Sequence, residues 1–283
     1  MSGTLADRIE AAIGRRPLHS APLSGGCVST VHRVSFGDGS QAVVKQTAAG
    51  SLALEGFMLR YLHDHSNLPV PAVIHAEDRL LIMEFVDAGD GLDESVEAEA
   101  AELLADLHNL SADRFGFGRD TLIGGLHQPN PEGDDWLAFF RDHRLLYMAG
   151  EAQRAGRLPG RAMRRVEHLA GKLHTWIDAP ARPSLIHGDM WGGNVLARRG
   201  RIAAFIDPAI YHADAEMELA FSTLFSTFGP AFFSRYGEIR PLRPGFFEVR
   251  RDLYNLYPML VHVRLFGGAY VGQVERILSR FGS

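Results

Sequence analysis

Apolar and polar positions follow two different periods along this chain, and the change from one to the other organises it. Leu5, Ile9 and Ile13 share one helix face and Gly14 ends that helix. The residues from about Leu18 to Leu23, an alternating stretch ending at Phe36, and Gln41 to Gln46 then read as strands. Gly37, Asp38 and Gly39 give the hairpin signal between the last two. Leu52 to His65 carries apolar residues at helical spacing, and Arg79 to Val86 returns to a strand. Beyond it the pattern is mostly helical, near Ser95 to Leu110, Asp135 to Ala155, Arg161 to Ile177, Ala213 to Phe228 and Phe246 to Phe281. The expectation is an α+β, two-lobed fold. Residues 1–86 form a small antiparallel sheet lobe with one helix, and residues 87–283 form a larger, mostly helical lobe.

One hairpin interrupts the helical part and carries the densest chemistry. Leu185 and Ile186 end a buried run that enters a Gly-containing turn, Val195 and Leu196 begin a strand, Arg198 to Arg201 reverse it, and Ile202 to Ile206 return. Asp189, Asn194 five positions later and Asp207 thirteen positions after that form the order of groups that phosphoryl transfer in a protein-kinase-like fold requires. Asp189 is the candidate to accept the proton of an acceptor hydroxyl. Asn194 and Asp207 are candidate Mg²⁺ ligands, because a hard cation takes one or two carboxylates and an amide and fills its octahedron with water and phosphate oxygens. Singly, each residue is also an ordinary turn former.

The nucleotide-binding half lies upstream in the matching order. Gly25, Gly26 and Ser29 sit in a small-residue turn whose backbone N–H groups and hydroxyl can approach phosphate oxygens without Cβ clashes. Lys45, near the end of its strand, reaches the α- and β-phosphates of ATP, and Glu55, near the start of the following helix, pairs with it. Glu84 and Val86, at the crossing between lobes, would meet the adenine ring through main-chain groups. Neither a Walker-type phosphate loop nor a G-x-G-x-x-G turn opening a βαβ unit is present.

With 283 residues, 46% of them hydrophobic, the chain suffices for one two-lobed globular protein. A net charge of -5 supplies no basic field for nucleic acid or an anionic membrane, so the expected partners are small molecules. The first residues lack the apolar core of a signal peptide and no apolar run spans a membrane, which makes a cytoplasmic monomer the default. A single cysteine, Cys27, excludes an internal disulfide and a cysteine-rich zinc site. In the phosphate turn, N–H groups and Lys45 would favour its thiolate, making it a redox candidate and a route to a disulfide-linked dimer. The alternative is a small residue tolerated in a tight turn.

LIHGDMWGGNVL from Leu185, FIDPAIYHADAEMELAF from Phe205 and DLYNLYPMLVHVRLFGGAYVGQ from Asp252 closely resemble the fructosamine kinase, or ketosamine 3-kinase, family. SGGCVS from Ser24, IGGLHQPN from Ile123 and DWLAFFRDHRL from Asp135 extend that likeness over essentially the whole chain. The resemblance implies ATP-dependent phosphorylation of the 3-hydroxyl of a fructosamine or ribulosamine adduct on a free amine or a protein lysine. The product is unstable, so the amine is regenerated. It also implies that His187 orients the catalytic loop. Trp191 is the candidate wall against the sugar or its cationic amine, or else a core aromatic anchoring the loop. Asp214, Glu216 and Glu218 either line an acidic mouth or form the first turn of a helix, where acids suit the dipole. The helix reading suits Glu216 and Glu218, and Asp214 stays open as a substrate residue. An aminoglycoside- or choline-type kinase would use the same kit, and an inactive nucleotide-binding interaction protein would keep the fold without turnover.

Overall fold

A computed structural model describes residues 4–23, 29–48, 51–180 and 182–282. The chain divides into two compact units that interleave in sequence. The first comprises Met1–Gly91 with Val195–Pro208, and the second Leu92–Asn194 with Ala209–Ser283.

The first unit opens with α1 (Leu5–Ile13). A reciprocal Thr4 and Asp7 capping box starts it, and Gly14 ends it in the left-handed conformation. Strands β1 (His19–Pro22), β2 (Thr30–Ser35) and β3 (Gln41–Gln46) precede α2 (Leu52–His65), and β4 (Val73–Glu77) and β5 (Leu80–Glu84) follow it. The sheet is antiparallel in the order β1-β2-β3-β5-β4. Strand β5, between β3 and β4, is apolar on both sides because both faces are covered. Leu80 and Ile82 join Val34, Val44 and Ile9 of α1, whereas Leu81 and Met83 join Leu52 and Leu59 of α2. The period-two alternation of β5 therefore serves two small cores.

In the second unit, α3 (Glu94–Asn109), capped by Asp93, leads to the short pair β6 (Thr121–Ile123) and β7 (Leu126–Gln128). Helices α4 (Trp136–Phe139) and α5 (Tyr147–Arg154) flank a π-helical turn at Phe140–Leu146, and α6 (Gly160–Ala170) precedes β8 (Ser184–Ile186). The chain then enters the first unit as the hairpin β9 (Val195–Arg198) and β10 (Arg201–Phe205). It returns as β11 (Tyr211–Ala213), antiparallel to β8, then α7 (Ala215–Leu224), α8 (Pro230–Ile239), α9 (Arg251–Phe266) and α10 (Ala269–Arg280).

The α+β class expected from the pattern holds, and β3, α2 and the β9–β10 hairpin fall where the periodicity put them. The division at residues 86 and 87 does not capture the interleaving. The hairpin belongs with the first unit because Phe205 N–H donates to Pro69 O at 2.7 Å, Gly89 and Asp90 N–H donate to Ala197 O at 3.2 Å, and Arg198 pairs with Asp87. Three helical spans are corrected. The stretch from Phe246 to Phe281 is broken at Gly267 and Gly268, whose positive φ angles end α9. The helix placed over Ala213 to Phe228 runs only from Ala215 to Leu224, and the span from Arg161 to Ile177 ends as a helix at Ala170. The structure adds β4, β6, β7 and α8, with Pro230 in the first turn of α8, where its missing N–H is not needed.

Candidate active site

The first unit gathers a lysine and two carboxylates. Lys45, on β3 between Val31 of β2 and Leu81 of β5, is only 6% exposed. Its ammonium donates to Glu55 Oε1 at 2.7 Å and to Asp207 Oδ1. Glu55 stands in the first turn of α2, and Asp207 follows the end of β10 after Ile206. Burial alone would lower the Lys45 pKa, but the two carboxylates outweigh it and raise it, so the group stays charged. Asp207 adopts φ 55°, a left-handed conformation that a short polar residue tolerates and that stores strain at this turn.

The second unit presents the catalytic loop between β8 and β9. Asn194 Nδ2 donates to Asp189 Oδ2 at 2.9 Å and to Asp189 O at 2.8 Å, holding the half-buried carboxylate in one orientation. Gly188 has φ +86°, and a Cβ there would lie 2.2 Å from Ala209 O, so only glycine fits this turn. His187 is fully buried, and its carbonyl accepts from Ala209 N–H at 2.7 Å.

Of the other expected site residues, Gly25, Gly26 and Cys27 lie outside the described residues, and Ser29 directly precedes β2. Glu84 ends β5, and its N–H is already used, donating to Ala72 O at 2.8 Å. Val86 follows β5 in the segment leading out of the sheet. Trp191 is 41% exposed, with its ring edge-on to that of Phe225 at 6.3 Å and packed over Gly193 of the same loop.

The substrate reading of Asp214 is corrected. Its carboxylate is 3% exposed, accepts from Glu216 N–H at 3.1 Å and Tyr254 Oη–H at 2.6 Å, and pairs with Arg243. Asp214 is the buried N-cap of α7 rather than part of an open mouth. Glu216, in the same turn, accepts from Arg250 Nε at 2.6 Å and Arg250 Nη2 at 2.9 Å. Reading Glu216 and Glu218 as first-turn acids was correct as to place but missed their burial, at 4% and 1% exposure. No local pattern announces it, since their arginine and histidine partners are distant in sequence.

Among the described residues, no group of three or more His, Cys, Asp or Glu side chains is arranged to hold a metal ion. Asn194 offers an amide oxygen and Asp207 a carboxylate, each a donor of the type Mg²⁺ takes. No helix among them is long and apolar enough to cross a membrane.

Comparison with known proteins identifies the family. The fructosamine kinase family matches residues 1–282. A Synechocystis sp. protein assigned as a ketoamine kinase is 33% identical, over 98% of this chain and 95% of its own. A Thermobifida fusca crystal structure assigned as a fructosamine-3-kinase superposes with a TM-score of 0.84 at 30% identity, covering 99% of this chain and 100% of that one. An aminoglycoside phosphotransferase, APH(2")-IIa in complex with gentamicin, reaches a TM-score of 0.68 at 15% identity, over 99% of this chain and 96% of its own, and so shares the fold. The chain belongs to the fructosamine kinase family.

Proposed function

We propose that this protein transfers the γ-phosphoryl group of ATP to the 3-hydroxyl of a ketosamine, a fructosamine or ribulosamine carried on a small amine or a protein lysine. The observation that carries the reading is the bonded catalytic kit of a family member. Lys45 is buried and charged between Glu55 and Asp207, and the Asp189 carboxylate is held by Asn194. In the reaction, the acceptor oxygen attacks the γ-phosphorus, the bond to the ADP oxygen breaks, and the hydroxyl proton passes to Asp189. Lys45 binds the α- and β-phosphates as a compact cation, and Glu55 keeps the ammonium from turning away. Asn194 and Asp207 are the residues that would each offer an oxygen to Mg²⁺, whose chemistry when bound would be to neutralise phosphate charge. The main chain at Val86 meets the adenine. Trp191, exposed two residues after Asp189, offers an indole face to the cationic amine of the adduct. The 3-phosphate destabilises the adduct and frees the amine, a deglycation, and ATP supply places the work in the cytoplasm.

The experiment is a substrate panel with Mg-ATP: ribulosyl-lysine, fructosyl-lysine, kanamycin and choline, with ADP release and product mass as readouts. Phosphorylation of one or both ketosamines, with free lysine appearing afterwards, is the expected result. Turnover confined to kanamycin or choline would move the protein to that substrate class. No turnover on any of the four, with ATP still bound, would favour a nucleotide-binding interaction protein.

A further inference from the structure

The geometry points to a second ligand site, a cavity at the start of β8 that takes a small phosphate monoester. It lies wholly within the second unit, and none of Lys45, Glu55, Asp189, Asn194 and Asp207 lines it.

The cavity encloses about 190 Å³ between the segment leading into β8, the first turns of α7, and the end of α8 with the turn after it. That is below the roughly 300 Å³ at which sites for drug-sized ligands begin, so its occupant is small. Leu219, Leu242 and Pro180 make one part of the wall apolar, and Arg182, Ser184, Tyr236 and Arg240 make the other polar. Asp214 and Glu216 also touch the space, but both carboxylates are buried and already paired. Arg243 and Tyr254 hold Asp214, and Arg243 and Arg250 hold Glu216.

Arg240 is placed differently from those arginines. Its Nη1 donates to His108 O and to Asn109 Oδ1, each at 2.7 Å, and its Nη2 to Ser184 Oγ at 3.2 Å, with the Tyr236 hydroxyl also in reach. All of these acceptors are neutral, and a guanidinium has five N–H groups, so Arg240 keeps both an unbalanced charge and a spare donor. Arg182, exposed at the cavity, has no carboxylate partner among the described residues. Ser184 is 1% exposed, and its hydroxyl accepts from Arg240 while its own proton has no acceptor among the described residues. A buried donor left unmet is costly, which marks this hydroxyl as waiting for an acceptor. Charge then selects the ligand. Two guanidiniums without a counter-charge match a dianion, and their planar forks fit paired phosphate oxygens, whereas a single carboxylate would leave one cation unbalanced. The apolar side of the wall leaves room for the organic group that a phosphate monoester carries.

The test titrates the full chain with ribose 5-phosphate, inorganic phosphate and ribose by calorimetry, with Mg²⁺ and a non-hydrolysable ATP analogue at saturation so that a nucleotide site is already filled. The expected result is one saturable site for ribose 5-phosphate, weaker binding of inorganic phosphate and no binding of ribose. Arg182→Ala, which removes an exposed side chain, and Ser184→Ala, which removes the unmet proton, should each weaken ribose 5-phosphate binding about tenfold. Arg182→Ala decides alone if Ser184→Ala does not fold. Absence of a saturable site overturns the inference, and so does wild-type affinity in folded Arg182→Ala. Ribose 5-phosphate bound no more tightly than inorganic phosphate would overturn the assignment of a monoester. Because the readout is binding at residues outside the catalytic kit, an enzyme inactive on ketosamines would fail the functional reading and leave this result standing.

Discussion

The two groups of candidate catalytic side chains are held by different means. In the first unit, positions are set by charge, because Lys45, Glu55 and Asp207 come from a strand, a helix and a hairpin end and are fixed by ion pairs among themselves. In the second unit, Asp189 and Asn194 share one loop, and backbone bonds at Gly188, His187 and Ala209 set their position. The contrast teaches that the first cluster should respond to changes of charge, whereas the loop should respond to changes of shape.

The largest expected effect comes from the loop's own acid. Asp189→Asn keeps the shape and removes the proton acceptor, so kcat should fall by about 10²- to 10⁴-fold. Gly188→Ala should come next, because the added Cβ must enter the space held by Ala209 O. It should both lower kcat, by about 100-fold, and reduce thermal stability, whereas an equally small change on a solvated surface would do neither. In the charge-built cluster, Glu55→Gln removes a bond worth about 1.5 kcal/mol and should raise KM for ATP or lower kcat about tenfold, with little change in melting temperature. If Gly188→Ala proved milder than Glu55→Gln, the comparison would be wrong.

A stability experiment sharpens the contrast from another side. Glu216→Ala leaves the buried Arg250 guanidinium without its carboxylate, and Arg243 with Asp214 alone, and should destabilise the fold by about 3–5 kcal/mol in denaturant unfolding. The pH dependence follows from the same groups. Burial raises the carboxyl pKa of Glu216, but Arg250 and Arg243 outweigh it and lower it below the ordinary 4.5, as His108 and the loop amides do for Glu218. A lowered folded pKa gives stability that is present above the unfolded value and lost as pH falls through the folded one. The melting temperature should therefore fall as pH drops below 4.5, and that fall should be shallower, from a lower starting value, in a Glu216→Gln, Glu218→Gln background. Asp214, raised by burial, works in the opposite direction as a single group.

What was legible in the sequence followed the range of the interactions. Strand β3, helix α2 and the β9–β10 hairpin have periodicity and turn residues within a dozen positions, so their bounds were readable. The Lys45, Glu55 and Asp207 cluster was readable only as an ordered set, because Asp207 is 162 positions from Lys45 and no local feature joins them. Asp214 was the instructive error. Acids before a helix suit both a polar mouth and a cap, and only Tyr254 and Arg243, far downstream, decide for the buried cap. Glu218 was visible as a helix-turn acid, but its grip on the loop depends on β8 and α7 meeting in space. Helix α8 escaped because its aromatic residues, Phe232, Phe233 and Tyr236, read equally well as scattered core.

The most direct measurement is single-turnover phosphorylation of fructosyl-lysine or ribulosyl-lysine by wild type and Asp189→Asn, with Mg-ATP affinity measured on both proteins. The account predicts a loss of at least about 100-fold in the chemical step with nucleotide affinity nearly unchanged. Equal single-turnover rates for the two proteins would contradict it.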